Sequence, residues 1–131
     1  MIKNRIICDT DFLISLSVTN ESTHQKALNL YQKNEDADFL VLNITMYEVA
    51  TVLSRKFKQT QAVEILESIQ YNFETEIWFE KDWQNQVFDI YKSQLNKNIS
   101  FFDCSCLFLA QKYKAKIASF DQFYPPEILI G

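Results

Sequence analysis

Four acidic residues lie where their side chains could act together on a cation. Asp9 ends a short apolar segment, Asp121 follows a second one, and Glu48 and Asp103 each lie in the first turn of a predicted helix. The carboxyl ends of parallel strands share one edge of a sheet, and the helices that follow or flank those strands begin there. An α/β fold with a parallel sheet would therefore bring all four carboxylates together, although they are far apart in sequence.

A cluster of these acids has a chemical meaning that its members lack individually. Neighbouring carboxylates raise one another's pKa, so folding has no stability reason to collect them, and a cluster indicates a divalent cation or another function. Oxygen ligands without His or Cys favour Mg²⁺ or Mn²⁺. The four acids together therefore predict a magnesium or manganese site.

Each acid also has a structural interpretation when it is taken alone. The patterns T-x-x-E at 45–48 and S-x-x-D at 100–103 match the capping box, in which the acid accepts a hydrogen bond from the N-cap amide. Asp9 could accept a hydrogen bond from a turn, and Asp121 could begin one. Capping is the commoner role of either helical acid by itself, so only the joint pattern favours the metal site.

The elements that must position these acids alternate between strands and helices. Hydrophobic patterning predicts short strands at 4–9, 39–42, 74–79 and 116–120, with a last edge strand at 127–130. Helical spacing predicts helices at 11–18, 23–33, 45–57, 61–71, 81–96 and 100–113. This order predicts a three-layer α/β/α sandwich with a mainly parallel sheet of four to five strands. No linker or repeat interrupts it, so residues 1–131 are expected to form a single domain.

The composition is that of a folded protein without a glycine-rich phosphate loop. The 131 residues are 47% hydrophobic and 23% charged with a net charge of −4, which excludes a disordered tail or a highly basic nucleic-acid arm. The one glycine is Gly131, so P-loop and dinucleotide-binding glycine motifs are excluded. Cys8, Cys104 and Cys106 are expected to be reduced and buried rather than zinc ligands. Neither a membrane span nor a signal peptide is recognised, and the expected location is the cytoplasm.

Four segments resemble the signature blocks of the PIN domain family. They are I-I-C-D-T-D-F-L-I, T-M-Y-E-V-A-T-V-L, S-F-F-D-C-S-C-L-F-L-A and I-A-S-F-D-Q-F, and each contains one of the four acids. The acids lie 39 (9 to 48), 55 (48 to 103) and 18 (103 to 121) residues apart, in an order and at spacings that also resemble the family. The resemblance covers residues 4–124 and is closest to small single-domain members, including the VapC-type toxins of bacterial toxin–antitoxin pairs.

The resemblance implies a metal-dependent endoribonuclease. It implies that one or two Mg²⁺ or Mn²⁺ ions are held by four catalytic acids, namely Asp9, Glu48, Asp103 and Asp121. It also implies an RNA substrate, a small antitoxin partner and a homodimer. Candidates for substrate binding are Thr10, at a position that is usually a hydroxyl residue, Ser119, where the family often has threonine, and the extra acid Asp11.

Basic and aromatic residues leave further alternatives open. Arg55 and Lys56 follow the Glu48 helix, and Lys112, Lys114 and Lys116 form a second basic group. Either group could contact RNA phosphates, and either could be a solvated helix end that complements the helix dipole. The aromatic residues in the middle of the chain are expected to include a partner surface; they are Tyr71, Phe73, Trp78, Phe79 and Trp83.

Two other functions compete with the nuclease. The segment D-T-D-F-L at 9–13 resembles motif one of haloacid-dehalogenase-like phosphatases, in which Asp9 would be the nucleophile. That family also needs a lysine and a late acidic pair, and here the late segment supplies only Asp121. The third interpretation is a catalytically inactive PIN-type binding module. The presence of all four acids argues against it.

Overall fold

A parallel three-stranded sheet lies between two groups of helices. The computed structural model describes residues 4–73, 80–94, 99–121 and 124–131. The strands are β1 (Arg5–Cys8), β2 (Asp38–Leu40) and β3 (Lys116–Ala118), in the order β2-β1-β3. The helices are α1 (Thr10–Ser17), α2 (His24–Lys33), α3 (Asn43–Lys56), α4 (Gln59–Asn72), α5 (Trp83–Lys92) and α6 (Phe101–Tyr113).

The alternation of side chains along β1 divides the core into two halves. Ile6 and Cys8 belong to one buried cluster, and Ile7 belongs to the other, because successive side chains of a strand point to opposite faces of the sheet. The first cluster contains buried residues of α1 to α4, and the second contains those of α5 and α6. The predicted α/β/α sandwich with a parallel sheet is therefore confirmed.

The sheet has fewer strands in the described part of the chain than the four to five predicted. The strand predicted at 74–79 lies outside the described residues. The edge strand predicted at 127–130 is wrong, because Pro126–Ile128 form a 3-10 helix and only Leu129 pairs with β3, through a single parallel bridge. Proline at the first position of this turn has a fixed φ that suits a helix and no amide for a ladder.

Helix α3 begins earlier than predicted, which changes the position of Glu48. Leu42 is the N-cap, and the amide of Thr45 donates to the Leu42 carbonyl at 3.1 Å. Leu42 is fully buried, so core packing fixes the start of the helix. The predicted capping box of Thr45 and Glu48 is therefore wrong, and Glu48 lies in the second turn.

The other predicted helices are present with ends shifted by a few residues. Helix α5 is shorter than predicted and ends at Lys92, while residues 95 and 96 lie outside the described part. The three cysteines are free and buried, as predicted. Within the described residues, no helix combines the length and apolar character that crossing a membrane requires.

The mid-chain aromatic residues differ in exposure. Tyr71 on α4 is 90% exposed, whereas Phe73 and Trp83 are buried in the core. Trp78 and Phe79 lie outside the described residues. Of the residues that can be compared, Tyr71 alone is available for contact with a partner.

Candidate metal centre

Three separate parts of the chain place carboxylates at the carboxyl edge of the sheet. Asp9 follows β1 and is the N-cap of α1, Asp121 follows β3, and Asp103 lies in the first turn of α6. One oxygen from each of these side chains lies within 4.8 Å of the other two. The sheet thus brings together residues that are separated by more than a hundred positions.

Glu48 shares a cavity with this acidic cluster. The cavity has a volume of about 370 Å³. Its acidic lining residues are Asp9, Asp11, Glu21, Glu48, Asp103 and Asp121, and its other lining residues are Thr10, Ile14, Ser15, Thr23, Val52, Lys56 and Phe120. All four acids predicted to bind metal therefore line one cavity, with Asp11 and Thr10 beside them.

Asp9 is the most buried of the four acids, and the protein supplies its hydrogen bonds. Its side chain is 3% exposed. The Thr10 amide donates to Oδ1 at 2.8 Å, and the hydroxyls of Ser119 and Tyr124 donate to Oδ2 at 3.0 and 3.2 Å. These donors satisfy a carboxylate that water barely reaches.

Asp11 connects the start of α1 to the segment that follows β3. Its Oδ2 accepts hydrogen bonds from the Phe120 amide at 2.9 Å and from the Ser119 hydroxyl at 3.3 Å. Ser119 Oγ in turn accepts a hydrogen bond from the Asp121 amide at 3.0 Å. Asp11 and Ser119 therefore hold the backbone that carries Asp121. Hydrogen bonds through Ser119 also connect Asp11 to Asp9.

Burial and mutual repulsion raise the pKa values of the acids. Burial, the charge of Asp11 and that of Asp103 raise the pKa of Asp9 to about 7, against the opposing hydrogen bonds from Thr10 and Ser119. Burial and the charge of Asp121 raise the pKa of Asp11 to about 6, although its hydrogen bond from Phe120 opposes the rise. A cation would relieve this repulsion.

The same pattern extends to the more accessible acids. Burial first, and then the charge of Asp103, raise the pKa of both Glu48 and Asp121. Asp103 is thus the shared source of repulsion for the other members of the cluster.

Asp103 caps the start of α6 and also belongs to the acidic cluster. Its Oδ2 accepts a hydrogen bond from the Ser100 amide at 3.1 Å, and its own amide donates to Ser100 Oγ at 3.0 Å. The predicted capping box at the start of α6 is therefore confirmed. A cap occupies only part of the acceptor capacity of a carboxylate, so Asp103 can also face a cation.

The basic residues predicted to contact substrate lie in different places. Lys56 lines the cavity, with its Nζ 3.6 Å from Glu21 Oε1, whereas Arg55 is exposed and is not among the lining residues. Lys114 and Lys116 lie with Arg5 around a separate cavity of about 270 Å³. Lys56 alone among these candidates is placed to meet a molecule that enters the acidic cavity.

The donor set fits a hard divalent cation. The clustered ligand atoms are carboxylate oxygens, and neither His nor Cys takes part in the group. Asp11 adds a buried oxygen, Oδ1, that has no hydrogen-bond partner. An oxygen-only set of this kind suits Mg²⁺ or Mn²⁺ better than zinc or copper.

Sequence reasoning missed Tyr124, which directly follows the segment I-A-S-F-D-Q-F at 117–123. Its side chain is 1% exposed and reaches Asp9. Burial and the nearby Cys106 and Asp9 raise the pKa of Tyr124, so the hydroxyl keeps its proton. The one local signal is the Pro125-Pro126 pair, which predicts a rigid backbone after Tyr124 but no contact with Asp9.

Comparison with known proteins agrees with this architecture. The family model of the PIN domain matches residues 6–123. The structure of VapC20 from Mycobacterium tuberculosis, a sarcin-ricin loop cleaving toxin, aligns with a TM-score of 0.76 and 19% identity over 89% of this chain and 90% of that chain. PAE2754 from Pyrobaculum aerophilum aligns with a TM-score of 0.63 and 16% identity over 91% of this chain and 81% of that chain. At these identities the two structures show a shared fold, and a search of curated proteins finds no match.

Proposed function

The chain belongs to the PIN domain family, and we propose that it is a divalent-metal-dependent endoribonuclease that hydrolyses RNA phosphodiester bonds. The observation that carries this proposal is the meeting of Asp9, Asp103 and Asp121, whose oxygens lie within 4.8 Å of one another. These acids come from distant parts of the sequence, and their repulsion makes the cluster unfavourable unless a cation binds.

The proposed ligands of Mg²⁺ or Mn²⁺ are Asp9, Asp103 and Asp121, with Glu48 in the same cavity as the fourth acid. One or two ions would supply positive charge that activates water and stabilises the negative charge developing on the phosphodiester. Asp11 and Ser119 hold the segment after β3 in place. Their role is to fix the position of Asp121 relative to Asp9.

The remaining lining residues suit a nucleic-acid strand. The cation among the lining residues is Lys56, and its exposed position beside the acids suits a phosphate group next to the one that is cleaved. Phe120 adds a half-buried aromatic ring to the same cavity, on which a base could stack. Thr10 supplies a hydroxyl-bearing side chain at the cavity wall.

Toxin activity with a small antitoxin is the proposed biological setting. The fold shared with VapC20, itself a toxin, supports this. A groove between α3 and α4, lined by Met46, Tyr47, Ala50, Val63 and Leu66 among others, has a volume of about 510 Å³. Its Tyr47 is 74% exposed, which supports contact with a protein partner, either an antitoxin or a second copy of the chain. The proposed location is the cytoplasm.

The competing phosphatase receives less support from the geometry. The phosphatase family needs a late acidic pair, and the segment that follows β3 supplies Asp121 without a second acid beside it. The inactive binding module would retain the fold without needing the complete acidic cluster. The arrangement of the acids therefore favours the nuclease.

Cleavage of labelled single-stranded RNA by purified protein tests the proposal. We expect cleavage in Mn²⁺ or Mg²⁺ and none in EDTA. The variant Asp103→Asn should lose about 100-fold or more of the activity, because the loss of a metal ligand costs more than the loss of a residue that only hydrogen-bonds to a ligand. The matched control is Asp89→Asn, since Asp89 is an exposed acid on α5 that pairs with Lys92. Metal-independent cleavage, or equal cleavage by Asp103→Asn and wild type, would contradict the proposal.

A further inference from the structure

The hydroxyl of Tyr124 contacts the candidate metal centre from the chain segment that follows β3. It donates a hydrogen bond to Asp9 Oδ2 at 3.2 Å, and the Tyr124 side chain is 1% exposed. We propose that Tyr124 is a positioning residue, which holds the Asp9 carboxylate in one orientation toward a divalent cation. This inference rests on the metal site proposed above.

The burial of Asp9 makes its orientation depend on protein donors. Water barely reaches a side chain that is 3% exposed, so its oxygens need protein partners. The backbone amide of Thr10 serves Oδ1, whereas the side chains of Ser119 and Tyr124 serve Oδ2. Two hydroxyls therefore decide where Oδ2 points.

Ser119 cannot hold Oδ2 by itself. Its hydroxyl carries a single proton and lies 3.0 Å from Asp9 Oδ2 and 3.3 Å from Asp11 Oδ2. Whenever that proton turns toward Asp11, Oδ2 of Asp9 depends on the hydroxyl of Tyr124. Tyr124 thus makes the orientation of Asp9 independent of the state of Ser119.

The hydrogen bonds also decide which oxygen of Asp9 remains open to a cation. Each carboxylate oxygen has about two lone-pair directions. Ser119 and Tyr124 together occupy those of Oδ2, whereas the Thr10 amide occupies one of those of Oδ1. A direction therefore remains on Oδ1, and the bond from Tyr124 opposes a rotation that would exchange the two oxygens.

Tyr124 is itself held in place by its surroundings. Its ring belongs to the buried core cluster that also contains Cys106 and Leu109 of α6. Pro125 and Pro126 follow directly and restrict the backbone, and Leu129 then pairs with β3. The hydroxyl is therefore a fixed donor, as a positioning residue requires.

Calorimetric titration of Mn²⁺ into the variant Tyr124→Phe, without RNA, tests the inference. Removal of the hydroxyl keeps the ring that fills the core but leaves Asp9 Oδ2 with the hydroxyl of Ser119 as its side-chain donor. We expect the dissociation constant for Mn²⁺ to rise about 10-fold, as is typical when the partner of a metal ligand is lost. The matched control is Tyr113→Phe, a half-buried tyrosine packed against the same core cluster, which should bind Mn²⁺ within about twofold of wild type.

RNA cleavage separates positioning from a merely structural role. At limiting Mn²⁺ the activity of Tyr124→Phe should fall about as much as its affinity, and it should recover at saturating Mn²⁺. A variant that melts earlier but binds Mn²⁺ as wild type does would overturn the inference. Wild-type protein that binds no Mn²⁺ would overturn the metal site and this inference together, so the two failures are distinguishable.

If Tyr124→Phe does not fold, wild-type protein with ¹³C-labelled tyrosine rings gives a second test. The chain has six tyrosines, so their Cζ resonances can be followed by NMR during titration with Mg²⁺. The Tyr124 resonance should shift and saturate at the dissociation constant of the metal, while that of Tyr113 stays in place. A Tyr124 resonance that does not move at saturating Mg²⁺ would overturn the inference.

Discussion

The two ends of the parallel sheet differ in both charge and burial. At the carboxyl end, Asp9 and its acidic neighbours share a cavity in which burial raises the pKa of several carboxylates. At the amino end, Arg5, Lys114 and Lys116 line a cavity but are themselves exposed. Acids predominate around the first cavity and basic residues around the second, yet of these two groups the acids alone include a buried member, Asp9.

This difference separates a candidate site from an ordinary charged surface. Exposed charges of one sign repel weakly because water and salt screen them, so the amino end needs no ligand. Buried carboxylates are screened much less, and their repulsion opposes folding unless a cation compensates for it. Changing charges at the carboxyl end, with variants at the amino end as controls for cleavage and for metal binding, tests this difference.

The largest expected effect is on RNA cleavage. Asp9→Asn removes one charge and one proposed ligand from the carboxyl end, and we expect metal-dependent cleavage to fall about 100-fold or more. Lys116→Ala removes a charge from the amino end and should leave cleavage within about twofold of wild type. Initial rates on one labelled RNA measure both variants. Equal losses in the two variants would remove the distinction between the ends.

The second effect is stabilisation by metal. A ligand that binds only the folded protein at 100 times its dissociation constant adds about 2.7 kcal/mol to the free energy of unfolding. We expect Mn²⁺ to give wild type a gain of this size in urea denaturation, and Asp121→Asn a smaller one. Lys114→Ala should gain as much as wild type. A metal that leaves the wild-type free energy of unfolding unchanged would contradict binding to the folded state.

The third effect is the dependence of stability on pH in EDTA. The pKa of Asp9 rises from 3.8 to about 7 on folding, so the folded state binds the proton more tightly than the unfolded state. The free energy of unfolding should therefore fall as pH rises from about 4 to about 7. Asp9→Asn should reduce this slope, and saturating Mg²⁺ should oppose it. Thermal melts at several pH values measure it, and stability that increases over this interval would contradict the prediction.

The smallest effect is on substrate affinity. Lys56→Ala removes the cation that lines the acidic cavity. We expect the KM for RNA to rise about threefold at low salt, because an exposed ion pair between Lys56 and a phosphate contributes little binding free energy. The variant should remain folded, because the contact of Lys56 with Glu21 is long, at 3.6 Å, and partly exposed, and such a pair contributes little stability. Arg55→Ala, the neighbouring exposed cation, should leave KM unchanged. A larger effect of Arg55→Ala would place the RNA outside this cavity.

Features of the structure that depend on local chemistry could be predicted from the sequence. The pattern at Ser100 and Asp103 predicts a capping box that the structure contains. Asp9 and Asp121 end apolar segments, and a parallel sheet places such ends at one edge. Strand and helix periodicity was therefore sufficient for the fold class and for bringing these acids together.

Features that depend on tertiary packing could not be predicted in the same way. The buried Leu42 sets the start of α3, which moves Glu48 into the second turn. Arg55 and Lys56 are adjacent, but neighbouring residues of a helix differ by about 100° in direction, so one lines the cavity and the other does not. The bond from Tyr124 to Asp9 spans 115 positions, and no local pattern indicates it.

Crystals soaked in Mn²⁺ test the central claim most directly, since anomalous scattering locates the ion without any assumption about activity. We expect a peak at the carboxyl edge of the sheet, about 2.2 Å from oxygens of Asp9, Asp103 and Asp121. No ion is expected beside Arg5, Lys114 and Lys116. A saturated crystal with no peak among the three aspartates, or with manganese bound only elsewhere, would contradict the claim that these carboxylates form a metal site.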